Sequence, residues 1–308
     1  MKKSKQEIQK QKNFKLMSEV VQKFDQLKYA LLDAQTFDEE HFGFPDFYYE
    51  IMETDEIRVN AFRKAFGLYK NLKNKVVCEV GVGTLALTQY YLPYVKKAYL
   101  IESNPRVIPL VKKLLKKNKW DKKVVLIQGD ALKTTLPEKV DFVIGELMSI
   151  FCANEYQVQI FKHMRQFLKP KGILMPDKII NLAQLAYAEF DDKHDHYPIF
   201  FTRHLPEVYT VQKQINVINL YKEKNEHIVK SRPYTTLLSG TINAVYLHSW
   251  IQVADGSNFT GTDSLMPPTV VKLKKPVKVK AGDKLELKAD FHYGTSLNKA
   301  RFSLKKRK

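Results

Sequence analysis

The chain has 308 residues, 44% of them apolar and 27% charged, enough to bury a full core and to divide into two domains. No apolar stretch approaches the roughly 20 residues that span a bilayer, and the basic start Met1-Lys2-Lys3-Ser4-Lys5 has no apolar run behind it, so neither a membrane span nor a secretory signal is expected. Of the formal charge of +18, residues 1–15 contribute +5 and Lys305-Lys306-Arg307-Lys308 contribute +4, so half of the excess sits on the two ends.

Residues 14–32 place Phe14, Met17, Val20, Val21, Phe24, Leu27, Ala30 and Leu31 on one helical face. The segment from Thr36 to Phe47 is aromatic and acidic, with Gly43 and Pro45 as turn markers. A helix is predicted from about Tyr48 to Tyr69, carrying Arg58 and Arg63. From Lys75 to Ile180 apolar strands alternate with amphipathic helices. The strands are Val76–Val80, Lys97–Glu102, Val124–Gln128, Val140–Ile144 and Ile173–Met175. The helices are Thr84–Leu92, Pro105–Asn118 with an early proline, and Gln157–Leu168. Short connections between them argue a parallel, doubly wound sheet. After Ile180 short alternating stretches appear, such as Val270–Leu273, Val277–Val279 and Lys284–Leu287, separated by turns such as Ala281-Gly282-Asp283. These predict an antiparallel β domain. The expected organisation is a basic helical segment over 1–47, an α/β domain over 48–180 and a smaller β-barrel-like domain over 181–308.

Cys78 and Cys152 have no metal-binding or redox spacing, so a reducing, cytoplasmic compartment is the default and no metal site is expected. Lys112, Lys113, Lys116, Lys117, Lys119, Lys122 and Lys123 cluster on one predicted helix and the turn after it. They form either a solvated face or a surface for an acidic protein or nucleic acid.

Three acids end three successive strands. Glu79 precedes the turn Gly81-Val82-Gly83, Glu102 closes the next strand, and Asp130 follows Gly129 after the third. A glycine turn at the end of a central strand is where an open α/β sheet takes a nucleotide-like ligand, and an acid ending the next strand can accept ribose hydroxyls. The third glycine of the dinucleotide fingerprint is missing, with Leu85 in that region. Each acid can also be read as the cap of its turn. The fourth strand runs into Gly145-Glu146-Leu147-Met148-Ser149-Ile150-Phe151-Cys152-Ala153-Asn154-Glu155. Two carboxylates in one loop suit a guanidinium, whose planar fork of donors matches carboxylate oxygens in pairs. Glu155 can instead cap the helix that follows.

The Glu79–Gly83 turn, Glu102 and Gly129-Asp130 resemble the cofactor loops of class I S-adenosylmethionine-dependent methyltransferases. The stretch Glu146 to Glu155 is similar to the double-glutamate loop of protein arginine methyltransferases, and Met52-Glu53-Thr54-Asp55-Glu56-Ile57-Arg58 resembles that family's cofactor-capping helix. The resemblance covers roughly residues 48–180. It implies a Rossmann-like methyltransferase sheet followed by a smaller antiparallel β-barrel domain. S-adenosyl-L-methionine would be held by Arg58, Glu79, Gly81, Gly83, Glu102 and Asp130, with Arg58 on the cofactor carboxylate. Glu146 and Glu155 would clamp an arginine of a protein or peptide, with Met148 and Trp250 lining the acceptor site. The family's Thr-His-Trp motif appears only as Leu247-His248-Ser249-Trp250; His248 then either assists proton removal or is a packed barrel residue. A homodimer is compatible with the family, although the segment after Ile180 is short for a dimerisation arm. Rival readings are a methyltransferase of free arginine or another small guanidine, a nucleic-acid methyltransferase, and a catalytically silent binding protein. Against the second, no Asn/Asp-Pro-Pro-aromatic loop stands where Glu146 begins.

Overall fold

Five strands, β1 (Val76–Val80), β2 (Lys97–Glu102), β3 (Val124–Gln128), β4 (Val140–Gly145) and β5 (Leu168–Met175), form the first sheet of the computed structural model. The structure describes residues 55–190, 194–199, 202–260 and 266–307. The helix expected at 14–32, the aromatic segment at 36–47 and the first turns of the helix expected from Tyr48 lie outside those residues. The strand order is β3-β2-β1-β4-β5 and every pairing is parallel. All five residues of β1 are buried, as a central strand covered on both faces requires. The chain builds outward from β1 to β3, then returns to the other side of β1 with β4. That reversal leaves a crevice beyond the C-terminal ends of β1 and β4, the position where doubly wound sheets bind ligands.

Three helices are described: α1 (Glu56–Gly67), α2 (Ile108–Lys117) and α3 (Gln157–Met164). Asp55 caps α1, its Oδ1 accepting the Arg58 N–H at 3.2 Å, and α1 buries Val59, Phe62, Ala65 and Phe66. In α2 the proline of the first turn is Pro109, while Pro105 sits in the turn before it. The helix expected over Thr84–Leu92 does not form. Turns and one short 3₁₀ segment, Thr88–Tyr90, take its place, because Leu85 adopts φ 71°, a left-handed conformation that no right-handed helix can contain.

The rest of the chain is antiparallel. It comprises β6 (Lys178–Tyr187), β7 (His196–Pro198), β8 (Glu207–Val208), β9 (Lys213–Asn219), β10 (His227–Thr235), β11 (Gly240–Ala254), β12 (Ser257–Thr260), β13 (Thr269–Val279), β14 (Lys284–His292) and β15 (Arg301–Lys306). One sheet has the order β7-β13-β11-β6-β8, with β12 on β11 and β9 on β6; the other is β10-β14-β15. The two expected strands Val270–Leu273 and Val277–Val279 are one strand, β13, with a register shift against β11 between them. Inner residues of both sheets, such as Leu185, Leu247, Leu287 and Phe291, join the core of the parallel sheet in one continuous apolar cluster. Helix α1 seals the junction, where the Ser257 hydroxyl donates to the Ala61 carbonyl at 2.5 Å.

At the edge of the parallel sheet opposite the crevice, Asp141 of β4 accepts the Val76 N–H at 2.9 Å and pairs with Lys75 at 3.1 Å and Lys169 at 2.8 Å. One carboxylate thus staples β1, β4 and the start of β5. Burial raises its pKa, but Lys169, the Val76 N–H and Lys75 outweigh burial and hold it below the ordinary 3.8. A depressed carboxyl pKa stabilises the fold above the ordinary value, and this contribution fades as pH falls through the folded value. Asp141→Asn should therefore cost about 1–2 kcal/mol at pH 7. The difference from wild type in urea titrations should shrink below about pH 4; a difference independent of pH would show that charge is not what Asp141 contributes.

Candidate active site

The crevice is floored by the turn after β1. Gly81 has φ 67°, and its N–H donates to the Ile101 carbonyl at 2.9 Å. A Cβ there would lie 2.5 Å from Leu147 Cδ2, so only glycine lets this turn meet the loop that leaves β4. Gly83, at φ 49°, donates its N–H to Glu102 Oε2 at 2.9 Å. The other carboxylate oxygen of Glu102 accepts the Asn104 N–H at 2.8 Å. Glu102 is buried and ties the end of β2 to the glycine turn. Glu79 is engaged inside the domain, where its Oε2 accepts from the hydroxyls of Thr88 at 2.6 Å and Tyr91 at 2.7 Å. Burial raises its pKa to about 7, with the two hydroxyl donors opposing the rise and the Glu102 charge adding to it. Asp130 lies on the rim and caps its own turn, accepting the Leu132 N–H at 2.8 Å.

The double-glutamate loop is braced from both sides. Gln157, fully buried at the start of α3, accepts the Leu147 N–H at 2.8 Å and donates to the Gly145 carbonyl at 3.3 Å. Between these points Phe151, Cys152 and Asn154 adopt φ of 61°, 52° and 61°. Left-handed conformations cost non-glycine residues of order 1–3 kcal/mol each and persist only where the surroundings over-determine them. Here the β half supplies the constraint: the Phe151 N–H donates to Ser249 Oγ at 3.0 Å, and the Gly294 N–H donates to the Cys152 carbonyl at 2.8 Å.

Three of the expected residues meet at the mouth. Arg58 Nη1 lies 2.8 Å from Glu146 Oε2, and Arg58 Nε lies 3.6 Å from Asp55 Oδ2. Arg58, expected to serve a cofactor carboxylate, thus rests on the first glutamate of the loop. Burial raises the Glu146 pKa, Arg58 opposes that rise, and Asp55 adds to it. Glu155 is raised further, to about 8, by burial and then by the Glu146 charge, with only partial relief from Arg58. Its side chain does not cap α3: Tyr156 occupies the cap position and makes no side-chain hydrogen bond there. Met148 is buried in the same loop.

The pleat of β11 separates the other expected pair from this cluster. Ser249 faces the loop, so His248 and Trp250, its neighbours in the strand, point to the opposite face. The His248 ring packs on Tyr246 with centroids 4.2 Å apart, and burial lowers its pKa to about 4. Its Nε2 is enclosed without a hydrogen-bond partner among the described residues. The placement supports the packed-barrel reading of His248 over proton transfer at the glutamates, and it supplies no acceptor-site contact for Trp250. Sequence reasoning missed Asp55, Gln157 and Ser249. Only Asp55 had a local signal, as an acid three residues before Arg58 at a helix start. Among the described residues no group of three or more His, Cys, Asp or Glu side chains is arranged to hold a metal ion.

A family model described as PRMT5 arginine-N-methyltransferase matches residues 44–175. Protein arginine N-methyltransferase 1 of Dictyostelium discoideum is 33% identical over 141 residues, covering 45% of this chain and 40% of that protein. Histone-arginine methyltransferase CARMER of Drosophila erecta is 29% identical over 144 residues, covering 46% of this chain and 26% of its own length. The matches thus span less than half of either relative. Among solved structures, protein arginine methyltransferase 10 of Arabidopsis thaliana superposes with a TM-score of 0.69 at 17% identity, over 79% of this chain and 87% of that one. The PRMT1 enzyme-prozyme heterotetrameric complex of Trypanosoma brucei, solved with AdoHcy, gives 0.68 at 16% identity, over 84% and 96%. At such identities the likeness concerns the fold, a parallel sheet joined to a barrel-like antiparallel half.

The raised pKa of Glu155 is also a statement about stability. The folded chain holds a proton there between the ordinary value of 4.5 and about 8, whereas the unfolded chain does not. Stability therefore falls as pH rises through that window. Glu155→Gln removes the titration, so its stability relative to wild type should improve steadily between pH 5 and about 8, by up to about 1.4 kcal/mol per pH unit, with Tm rising in step. Thermal melts across that range test this; a constant offset would mean that Glu155 ionises as an ordinary carboxyl.

Proposed function

We propose that this chain, of which residues 44–175 match the PRMT5 arginine-N-methyltransferase family model, is a member of the protein arginine N-methyltransferase family and an S-adenosylmethionine-dependent N-methyltransferase that acts on the guanidinium of an arginine in a protein or peptide. The observation that carries this is the charge balance of the loop. Glu146 pairs with one guanidinium, Arg58, at 2.8 Å, and Glu155, nine residues on and near enough to feel the charges of both, has its pKa raised to about 8 by burial and by the Glu146 charge. The arrangement suits one more planar cation. Glu146 and Glu155 would receive it from two sides and fix the attacking nitrogen. As that cation arrives, Glu155 releases its proton and becomes the charged partner; a carboxyl tuned towards neutrality is also fitted to accept the proton the nitrogen later gives up.

The residues of the crevice fit the cofactor. The turn at Gly81 carries no Cβ where a ligand and Leu147 would compete for space. Glu102 offers ribose hydroxyls the remaining lone pairs of two oxygens that each already accept one N–H. Arg58 would divide its guanidinium between Glu146 and the cofactor carboxylate. Gly83 and Glu79 would shape the floor, and Asp130 would stand at the adenine end. Bound there, S-adenosylmethionine supplies a sulfonium methyl group for in-line displacement, a reaction that depends on alignment more than on strong base catalysis.

We take the cofactor-binding part to be 48–180 and the barrel-like part 181–308, with 1–47 a basic leading segment. The buried, free thiols of Cys78 and Cys152 support a reducing compartment, the cytoplasm. The heterotetrameric assembly of the Trypanosoma brucei relative supports self-association; sedimentation at micromolar concentration should show more than a protomer mass, and a protomer mass throughout would end that reading.

Glu146→Gln and Glu155→Gln keep size and much of the hydrogen bonding while removing charge. Each should bind S-adenosylmethionine within a few-fold of wild type yet lose methyl transfer to an arginine peptide by roughly tenfold to a hundredfold. Glu102→Ala should do the reverse first, weakening cofactor binding by about 1–3 kcal/mol. Full activity of both glutamine variants, or better turnover with a lysine peptide, free arginine or RNA than with the arginine peptide, would overturn the assignment.

A further inference from the structure

The barrel-like half holds three polar side chains where an apolar core would be simpler. Ser249, Asn181 and Asn216 lie on three adjacent strands, β11, β6 and β9, and all three are buried. Their hydrogen bonds form one chain. The Phe151 N–H donates to Ser249 Oγ at 3.0 Å, and the Ser249 hydroxyl donates to Asn181 Oδ1 at 2.9 Å. Asn181 Nδ2 donates to Asn216 Oδ1 at 3.2 Å, and Asn216 Nδ2 donates to Tyr293 Oη at 2.7 Å. Each link donates in the same sense, away from the loop, so the bonds polarise one another. The chain then returns to the loop through the backbone. The Tyr293 carbonyl accepts from Gln159 of α3 at 2.9 Å, and the next residue, Gly294, donates its N–H to the Cys152 carbonyl at 2.8 Å. Both ends of the network thus grip Phe151 and Cys152, two left-handed residues midway between Glu146 and Glu155.

We propose that Ser249, backed by Asn181 and Asn216, is the positioning residue that sets the separation and aim of the two glutamates. It acts from the barrel-like half on a loop of the α/β half and touches neither glutamate. The Phe151 N–H is the group it holds. Without that acceptor the buried N–H is orphaned, a cost that the loop can relieve by leaving the left-handed conformation and reaching water. Glu155, four residues downstream, would then move relative to Glu146, whose place is fixed by Arg58. The consequence for turnover rests on the arginine-methyltransferase reading above; the consequence for the loop does not.

Thr and Val have nearly the same shape, and only Thr keeps the hydroxyl, so Ser249→Thr and Ser249→Val separate the hydrogen bond from the volume. In hydrogen exchange, the amides of residues 149–154 should stay protected in Ser249→Thr and exchange roughly tenfold faster or more in Ser249→Val. In Ser249→Val, kcat on an arginine peptide should fall by roughly tenfold or more while the Kd for S-adenosylmethionine stays within about twofold; Ser249→Thr should keep kcat within about threefold. Added to Glu155→Gln, Ser249→Val should cost little more, because the glutamate it positions has already lost its charge. Should Ser249→Val not fold, Asn216→Ala, two links behind Ser249, carries the same comparison. Equal exchange in the Thr and Val variants, or faster exchange with kcat intact, overturns the proposal. If wild type turns over no arginine peptide while the exchange contrast appears, the loop assignment is supported and the activity reading fails.

Discussion

The site depends on an imbalance of charge in a confined space. Among the described residues, the guanidinium of Arg58 faces the carboxyl groups of Asp55 and Glu146, with Glu155 close enough for its pKa to respond to both Arg58 and Glu146. In a partly buried setting, ionised carboxylates without a matching cation are costly, and the cheapest relief is a proton. Glu155 takes that relief. The Arg58–Glu146 pair does more than neutralise charge. It joins α1, which lies outside the parallel sheet, to the loop at the point where the strand order reverses, so the helix and the crevice are placed by one contact. Breaking a buried pair of this kind by removing one partner leaves a bare charge, which is why such pairs cost several kcal/mol to dismantle.

That imbalance survives only because the loop cannot move to escape it. Glu146 and Glu155 would separate if the chain between them relaxed, and it has reason to relax, with Phe151, Cys152 and Asn154 all in left-handed conformations. What prevents relaxation comes largely from the second half of the sequence. The Phe151 ring is buried against Phe291 and Phe302, its N–H is held by Ser249, and the Cys152 carbonyl is held by Gly294. The residues of the proposed chemistry therefore lie in the α/β half, and much of their geometry is set by the barrel-like half. One continuous core across both halves is the physical condition for this, since a hinge between them would let the loop go slack.

The parallel sheet was legible because its central strands β1, β2 and β4 are almost wholly buried apolar runs. β1, β2 and β3 have the boundaries their apolar stretches suggest, and β4 differs only by Gly145. The glycine turn and the glutamate loop were legible for a related reason: backbone freedom and carboxylate pairs leave local marks. Failures fall where a local pattern met a non-local demand. The stretch Thr84–Leu92 has helical spacing, yet Leu85 is left-handed where the fingerprint would have glycine. His248 drew attention by its motif, while the strand's alternation gave the loop-facing place to Ser249. No sequence signal joins residues 151, 181, 216, 249 and 293, since the network exists only once three strands, the turn after β14 and a loop have met. Such polar chains are written in three dimensions, and periodicity does not see them.

A net charge of +18 and the cationic acceptor proposed above look incompatible, but they act over different distances. Half of that charge is at the ends of the chain, and much of the rest is exposed lysine, as on α2, where Lys112, Lys113, Lys116 and Lys117 face solvent. Exposed charges are screened beyond about 8 Å at physiological ionic strength. Glu146 and Glu155 are enclosed, where screening is weak and a planar donor at contact distance is held by hydrogen bonds as well as by charge. The surface field therefore bears on the rate at which an acceptor arrives, and the enclosed carboxyl groups bear on whether it stays. A basic substrate segment approaches against the field, whereas an arginine set among acidic residues approaches with it, and both meet the same two glutamates at the end of the path. On the proposed function, selectivity for the guanidinium is then a property of a few enclosed atoms, and selectivity for its surroundings a property of the whole surface.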